Sequence, residues 1–180
     1  VLSLVADNVA NLGRIQGAAV SLAARQDFAN LGGTIQAGDS LTIAAGRDLT
    51  VQSTTRGNAN ANGSNTTLDR IAGLYVTNPG GTLLASAGRD MNLIAATLQS
   101  RGGATLVAGN DLKLGTVTES NSNTVVWDAR NRLAESRSRE VGTTIQTQGN
   151  LTIAAGRDVS ARAAQASSEQ GALTVQAGRD

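Results

Sequence analysis

The sequence has no cysteine, no histidine and very few aromatic residues. Among 180 residues there are one phenylalanine, one tyrosine and one tryptophan. The absence of cysteine excludes disulfides, which fits a cytosolic protein and equally a secreted one that stays unfolded during export. The absence of histidine removes the usual base that activates a serine or cysteine nucleophile, and a common zinc ligand. Scarce aromatics predict a thin core of leucine, isoleucine, valine and alanine.

Charge and hydropathy exclude two further classes of protein. The formal net charge is +1, and this near neutrality argues against a nucleic-acid-binding surface. No apolar run approaches the roughly 18 residues that a membrane-spanning helix needs, so we expect no membrane span. The chain opens without a signal peptide and stops within a repeated motif. We therefore expect an internal fragment of a longer protein, whose export signals lie elsewhere.

Short motifs recur along the whole chain. The eight residues LTIAAGRD occur at 41–48 and again at 151–158, with shorter echoes at 87–90, 108–111 and 177–180. Successive copies lie about 20 residues apart, or about twice that where the sequence is least regular. Self-similarity at a fixed period of this size predicts a solenoid, in which each repeat packs on its neighbours.

Between the motifs, apolar and polar residues alternate, as in Leu41-Thr42-Ile43. Alternation with period two is typical of a strand with one buried face, and no window has a helical period. Residues 1–180 are therefore predicted to form a single all-β domain, a right-handed parallel β-helix of about six rungs with about 20 residues each.

Two segments interrupt the repeat, at about 53–77 and 116–147. We expect each to form a protruding β-hairpin, and a disordered loop is the alternative for each. In the first, Asn62-Gly63 is typical of a type I′ turn. The tip of the second is expected near 128–135, and a weaker excursion is expected at 162–170.

The recurring motif supplies candidate corner residues. The glycines are expected to adopt a corner conformation that a Cβ would disfavour, and the aspartates to bond backbone N–H groups there. A row of aspartates could in principle serve a polysaccharide-active enzyme or bind calcium. An active site should be unique, however, whereas this feature recurs at every repeat, and Asp180 would extend the row. We therefore predict no catalytic, cofactor-binding or metal-binding residue and no enzyme, and a structural role for Gly46, Asp48, Gly88, Asp90, Gly109, Asp111, Gly156 and Asp158.

The second insertion contains the one candidate contact surface. A tryptophan stands beside a local run of arginines, and exposed aromatic residues often anchor contacts. Packing of the tryptophan against the shaft and a solvated hairpin tip are the alternatives. The candidate residues are Trp127, Arg130, Arg132, Arg137 and Arg139.

These motifs resemble those of a known family. Asn-x-Gly-x-Ile at 11–15, Ala-Gly-Asn-Asp-Leu at 108–112, Val-Gly-Thr-Thr-Ile at 141–145 and the motif at 149–158 resemble repeats of filamentous haemagglutinin-type large exoproteins. These are two-partner secretion proteins of Gram-negative bacteria, and they include adhesins and filaments of contact-dependent growth inhibition. The resemblance implies a secreted, cell-surface β-helical filament, exported unfolded through an outer-membrane transporter. It implies no catalytic residues.

Three functional hypotheses follow. The leading one is a structural shaft segment that stacks on neighbouring rungs of the same filament and presents distal binding or toxin modules. The first alternative is that the segment itself binds a target-cell receptor or glycan through its hairpins. A polysaccharide-active β-helix enzyme is the second alternative, which the low aromatic count opposes.

Overall fold

The computed structural model describes residues 1–179, and in that range the chain is all-β, with no helix. Among these residues there is accordingly no apolar helix that could cross a membrane. Asp180, the last residue of the predicted aspartate row, lies outside the described range. The strands are β1 Leu2–Ala6, β2 Val9–Asn11, β3 Arg14–Ala24, β4 Phe28–Leu31, β5 Thr34–Ala45, β6 Leu49–Gln52, β7 Thr54–Asn60, β8 Gly63–Arg70, β9 Gly73–Val76, β10 Thr82–Ala87, β11 Met91–Ile94, β12 Thr97–Ser100, β13 Gly103–Ala108, β14 Leu112–Gly115, β15 Val117–Val126, β16 Arg132–Val141, β17 Thr144–Thr147, β18 Leu151–Ala155, β19 Val159–Ala161, β20 Gln165–Ser168 and β21 Leu173–Ala177.

The strands form three sheets. An eleven-stranded sheet and a six-stranded sheet contain parallel pairs, and a four-stranded sheet contains antiparallel pairs. The six-stranded sheet runs in the order β2, β4, β6, β11, β14 and β19, and we use these strands to number six layers. In the larger sheet, β5 pairs through residues 34–37 with β9 and through residues 40–45 with β10. The two halves of β5 therefore pair with different strands of the same sheet.

The layers repeat at the spacing that the motifs predict. Equivalent aspartates in adjacent layers bond one another at separations of 21 residues, or of 42 and 47 residues where an insertion intervenes. Each insertion thus adds chain without changing the register of the layers on either side.

Alternating apolar residues build the core. Leu22, Ile43, Ala85, Leu106 and Ile153 pair in succession and are all buried. The threonines that precede three of them, Thr42, Thr105 and Thr152, are partly exposed. Burying a side chain of this size contributes about 1.5–3 kcal/mol relative to leaving it exposed. The core is continuous from layer to layer, so each layer depends on the one that it packs against.

Glycine is required at the motif corner for a different reason from the one predicted. None of the motif glycines has a positive φ, so left-handed backbone is not the reason for glycine there. A Cβ built on Gly88 would lie 2.9 Å from the carbonyl carbon of Gly46 in the layer before it, and closer still to its oxygen. The same obstruction meets Gly109 and Gly156. Close stacking of backbone on backbone therefore excludes a side chain at this corner.

The two insertions lie side by side and join, which the sequence analysis did not address. Residues 54–70 and 117–141 each form an antiparallel pair, and β8 also pairs with β15. The result is one sheet in the order β16-β15-β8-β7, which we call the side sheet. The facing edges of the two hairpins pair through residues 63–66 and 120–123, and β7 and β16 remain as the outer edges.

Two local predictions were wrong, and a third placed the second tip only in part. The first turn consists of residues 61–62, since Asn60 pairs with Gly63, and neither residue has the positive φ of a type I′ turn. The second tip is confined to residues 127–131, because Val126 pairs with Arg132. Residues 165–168 form β20, which pairs in register with β17, so the weaker excursion expected at 162–170 is an ordinary part of the eleven-stranded sheet.

Candidate binding surface

The motif aspartates form a ladder along one corner of the stacked layers. In each step the backbone N–H of one aspartate donates to a carboxylate oxygen of the aspartate one layer earlier, at 3.2–3.4 Å. The bond predicted from the sequence therefore exists, but it joins layers rather than closing a turn within one layer. The ladder comprises Asp27, Asp48, Asp90, Asp111 and Asp158.

Arginines of the motif cover this ladder. Each guanidinium reaches back to the aspartate of the preceding layer, as Arg47 does to Asp27 and Arg157 does to Asp111. The hydrogen bond from Arg47 holds the pKa of Asp27 below its ordinary value. Among residues 1–179 no arginine pairs with Asp90, because Asn110 stands where the other layers have arginine. Four of the five ladder aspartates thus pair with an arginine of the next layer.

The tip of the side sheet carries the predicted tryptophan. Trp127 is 68% exposed, so it does not pack against the stacked layers. The turn beneath it is closed by Asp128, which accepts hydrogen bonds from the backbone N–H groups of Arg130 and Asn131 and from the Asn131 side chain. These bonds lower the pKa of Asp128, the Asn131 side chain most. Val126, the preceding residue, is also exposed.

The structure does not bring the predicted arginines into one basic patch. Arg137 and Arg139 share a face of the side sheet, where they form ion pairs with Glu135 and Glu119 at 2.6 and 2.5 Å. Arg132, at an alternate position, lies on the opposite face. Arg130 lies in the tip turn. The side sheet therefore divides these arginines between its two faces and its tip, and their role as a contact surface stays a prediction.

Two glutamates fasten the side sheet together. Glu119 accepts a hydrogen bond from the backbone N–H of Leu68 in the other hairpin, and this bond and Arg139 lower its pKa. Glu140 accepts hydrogen bonds from Thr116 and Thr118, and these lower its pKa. Glu119 and Glu140 thus each join neighbouring strands.

Two buried hydroxyl groups form hydrogen bonds with backbone groups where the hairpins leave the layers. The Ser53 hydroxyl donates to the carbonyl of Ala95 at 2.6 Å and accepts from the N–H of Ala72. The Thr143 hydroxyl donates to the carbonyl of Leu93 at 2.8 Å and accepts from the N–H of Ala96. Sequence reasoning missed both residues, because a lone serine or threonine beside a polar insertion gives no distinct signal.

One face of the side sheet is rich in asparagine. Asn58 pairs with Asn65, which pairs with Asn121, so three amides cross adjacent strands in one row. Asn60 and Asn123 lie in the next row, on either side of Gly63. Directly opposed residues of antiparallel strands share a face. We call these five residues the asparagine face.

The asparagine face lines an open cavity of about 460 Å³. In the described chain the side-chain amides of Asn58, Asn65, Asn121 and Asn123 bond no other protein group, so each offers a donor and an acceptor to a ligand. Sequence reasoning missed this face, although the alternating asparagines at 58 and 60 and at 121 and 123 are visible in the sequence. The missing information was which strands would become neighbours.

Compared with protein-family models, curated proteins and solved structures, the chain matches none of them.

Proposed function

We propose that this chain is a shaft segment of a secreted, filamentous cell-surface exoprotein, built as a right-handed parallel β-helix. The observation that carries the proposal is the in-register ladder of Asp27, Asp48, Asp90, Asp111 and Asp158, which links every layer from the second to the sixth. A structure whose layers bond only to their neighbours grows along one axis, which suits a spacer rather than a catalyst. Right-handed winding is expected from the general preference of parallel crossover connections.

The sequence resemblance supplies the biological setting of this proposal. The motifs at 108–112, 141–145 and 149–158 resemble repeats of filamentous haemagglutinin-type exoproteins. On that basis the filament stands on a Gram-negative bacterium, exported unfolded through an outer-membrane transporter of two-partner secretion. It holds a distal adhesive or toxin module away from the cell. The lack of cysteine is compatible with passage of an unfolded chain.

A second candidate function is that the side sheet itself binds a target-cell receptor or glycan. The observation that favours it is the asparagine face, with four unengaged amides around a cavity of about 460 Å³. Ligand sites combine concavity with a few convergent polar groups. Neutral amides complement hydroxyl or amide groups, so the ligand class would be uncharged and polar.

A shaft-only variant distinguishes the two functions. Deleting residues 54–71 and 117–142 leaves the corners Ser53–Ala72 and Thr116–Thr143, which match in length the tight corner Ala95–Ala96 of the fourth layer. The labelled chain and this variant are compared for binding to whole bacterial and epithelial cells, with circular dichroism as the control for folding. A spacer predicts no saturable binding by either. Saturable binding by the full chain alone would overturn the spacer and assign adhesion to the side sheet.

The asparagine face has its own matched test. If the full chain binds cells, Asn58→Ala with Asn121→Ala should abolish binding, while Thr124→Ala with Ser138→Ala on the opposite face should preserve it. Equal binding by both double variants would exclude the asparagine face as the site and direct attention to the tip at Trp127.

A further inference from the structure

The two edges of the side sheet are unequal. β16, at one edge, carries five charged residues among its 10, which are Arg132, Glu135, Arg137, Arg139 and Glu140. β7, at the other edge, carries only Arg56 among its 7 residues, and that arginine is tied to Asp69 of the neighbouring strand at 3.2 Å. Charged side chains are a common device that keeps an edge strand from pairing with another chain. One edge is therefore guarded and the other is open.

The open edge is accessible from residue 55 to residue 60. In the described chain, β7 pairs with β8 on one side and with no strand on the other, and all its residues after Thr54 are exposed. Its outward backbone N–H and C=O groups form a row that an added strand could bond. This edge lies in an insertion, so its pairing does not depend on which function the stacked layers serve.

We propose that β7 pairs antiparallel with β7 of a second copy of this chain, joining the two side sheets into one continuous sheet. The occupant is argued from the register. A two-fold axis at Gly57 pairs the exposed residues 55–59 of the two copies with one another and leaves Thr54 unpaired. Arg56 of each copy then faces Asn58 of the other, and no like charges meet.

This pairing is self-limiting. A two-fold contact uses the same surface on both partners, so it closes at a dimer. Each β7 leaves its own layers at Thr54. Because the two strands run antiparallel, the stacked layers of the two copies lie at opposite ends of the paired strands. The two stacks of layers would thus be cross-linked side by side through their insertions, without change to the layers themselves.

The axis residue provides a variant that should not disturb the fold. A Cβ added at Gly57 would meet its nearest neighbour, the Thr66 hydroxyl oxygen, at 3.6 Å, which is ordinary van der Waals contact. Gly57→Lys would place two ammonium groups against each other on the axis of the dimer. Ser136→Lys adds the same charge to the exposed middle of β16, at the guarded edge, and is the matched control.

Sedimentation velocity over a series of protein concentrations tests the proposal, with circular dichroism confirming that each variant folds. We expect the wild type and Ser136→Lys to form a dimer, and Gly57→Lys to associate at least about tenfold more weakly, since opposed like charges disfavour an interface. Mixing Gly57→Lys with Gly57→Glu should restore a dimer that contains one of each. A monomeric wild type, or equal association by Gly57→Lys and Ser136→Lys, would overturn the proposal. End-to-end association through the exposed terminal strands β1 and β21 would give an open series of larger species that Gly57→Lys does not reduce, and that outcome would also overturn it.

Discussion

Replacement of a corner glycine by alanine tests the stacking of the layers directly. In Gly88→Ala, the added Cβ would lie 2.9 Å from the Gly46 carbonyl carbon and closer still to its oxygen. Both are backbone atoms, so one layer must move away from the other. The movement strains the inter-layer hydrogen bonds from Gly88 N–H to Ala45 at 2.9 Å and from Arg89 N–H to Arg47 at 2.8 Å.

The expected magnitude has two parts of opposite sign. Forcing an extra carbon into a packed site costs about 1–3 kcal/mol. Alanine also restricts the unfolded chain, which favours the folded state by about 0.4–1 kcal/mol where the backbone is compatible. The clash is the larger, so Gly88→Ala should lower the free energy of unfolding by about 1–2 kcal/mol. At Gly13 a Cβ would meet nothing within 4 Å, so Gly13→Ala should raise it by about 0.4–1 kcal/mol.

Urea unfolding followed by far-ultraviolet circular dichroism measures both variants. Because stacked proteins can unfold in parts, hydrogen exchange at the amides of Gly88 and Arg89 should report the loss first. Gly88→Asn separates the two explanations of the glycine, since asparagine tolerates left-handed backbone better than alanine does. If Gly88→Asn restores stability, or if Gly88→Ala is as stable as Gly13→Ala, the stacking argument is refuted.

Four further predictions concern the core, a strained corner and the charged ladder. Ile43→Asp should cost more than about 4 kcal/mol in urea unfolding, because it buries an unpaired charge, while Arg47→Ala should cost far less at its exposed site. Ala163→Gly should stabilise by about 0.5–1 kcal/mol in the same assay, because Ala163 is exposed and its φ of 47° penalises a Cβ. Asn110→Arg should raise the melting temperature slightly at low salt and not at high salt, because it supplies the guanidinium missing from the ladder. The free energy of unfolding should fall as pH drops below 3.8, the ordinary pKa of aspartate. The pKa of Asp27 is lowered in the folded state, so the folded chain binds this proton less readily than the unfolded chain does. Arg47→Ala should weaken this pH dependence.

The strands and the repeat could be predicted because their causes are local. Alternation such as Leu41-Thr42-Ile43 selects one buried face, and the repeated glycine fixes the spacing of the corners. The reason for that glycine could not be predicted, because it depends on a carbonyl about 20 residues or more away in the chain. Gly46 and Gly88 obstruct a side chain only once their layers are stacked.

The candidate surface was less predictable because it depends on which strands become neighbours. The exposure of Trp127 follows from its place in a hairpin tip. Alternation already separates Arg132 from Arg137 and Arg139, so the division of the arginines between two faces was open to inference from the sequence. The contact of Ser64 with Ser122 spans 58 residues and joins two insertions, and no local pattern specifies it.

The joining of the hairpins follows from a match of spacings. Strands in a sheet lie about 4.8 Å apart, both between stacked layers and between the strands of a hairpin. A hairpin is two strands wide, so hairpins in alternate layers fill the side of the stack without gap or overlap. The insertions do leave from the third and fifth layers, and the fourth layer turns the same corner tightly at Ala95, whose φ is 49°. A third hairpin at Ala95 would have no room between β8 and β15, which already pair. The strained corner in the fourth layer is therefore a condition for a continuous side sheet, and lengthening that corner should separate the two hairpins while leaving the aspartate ladder intact.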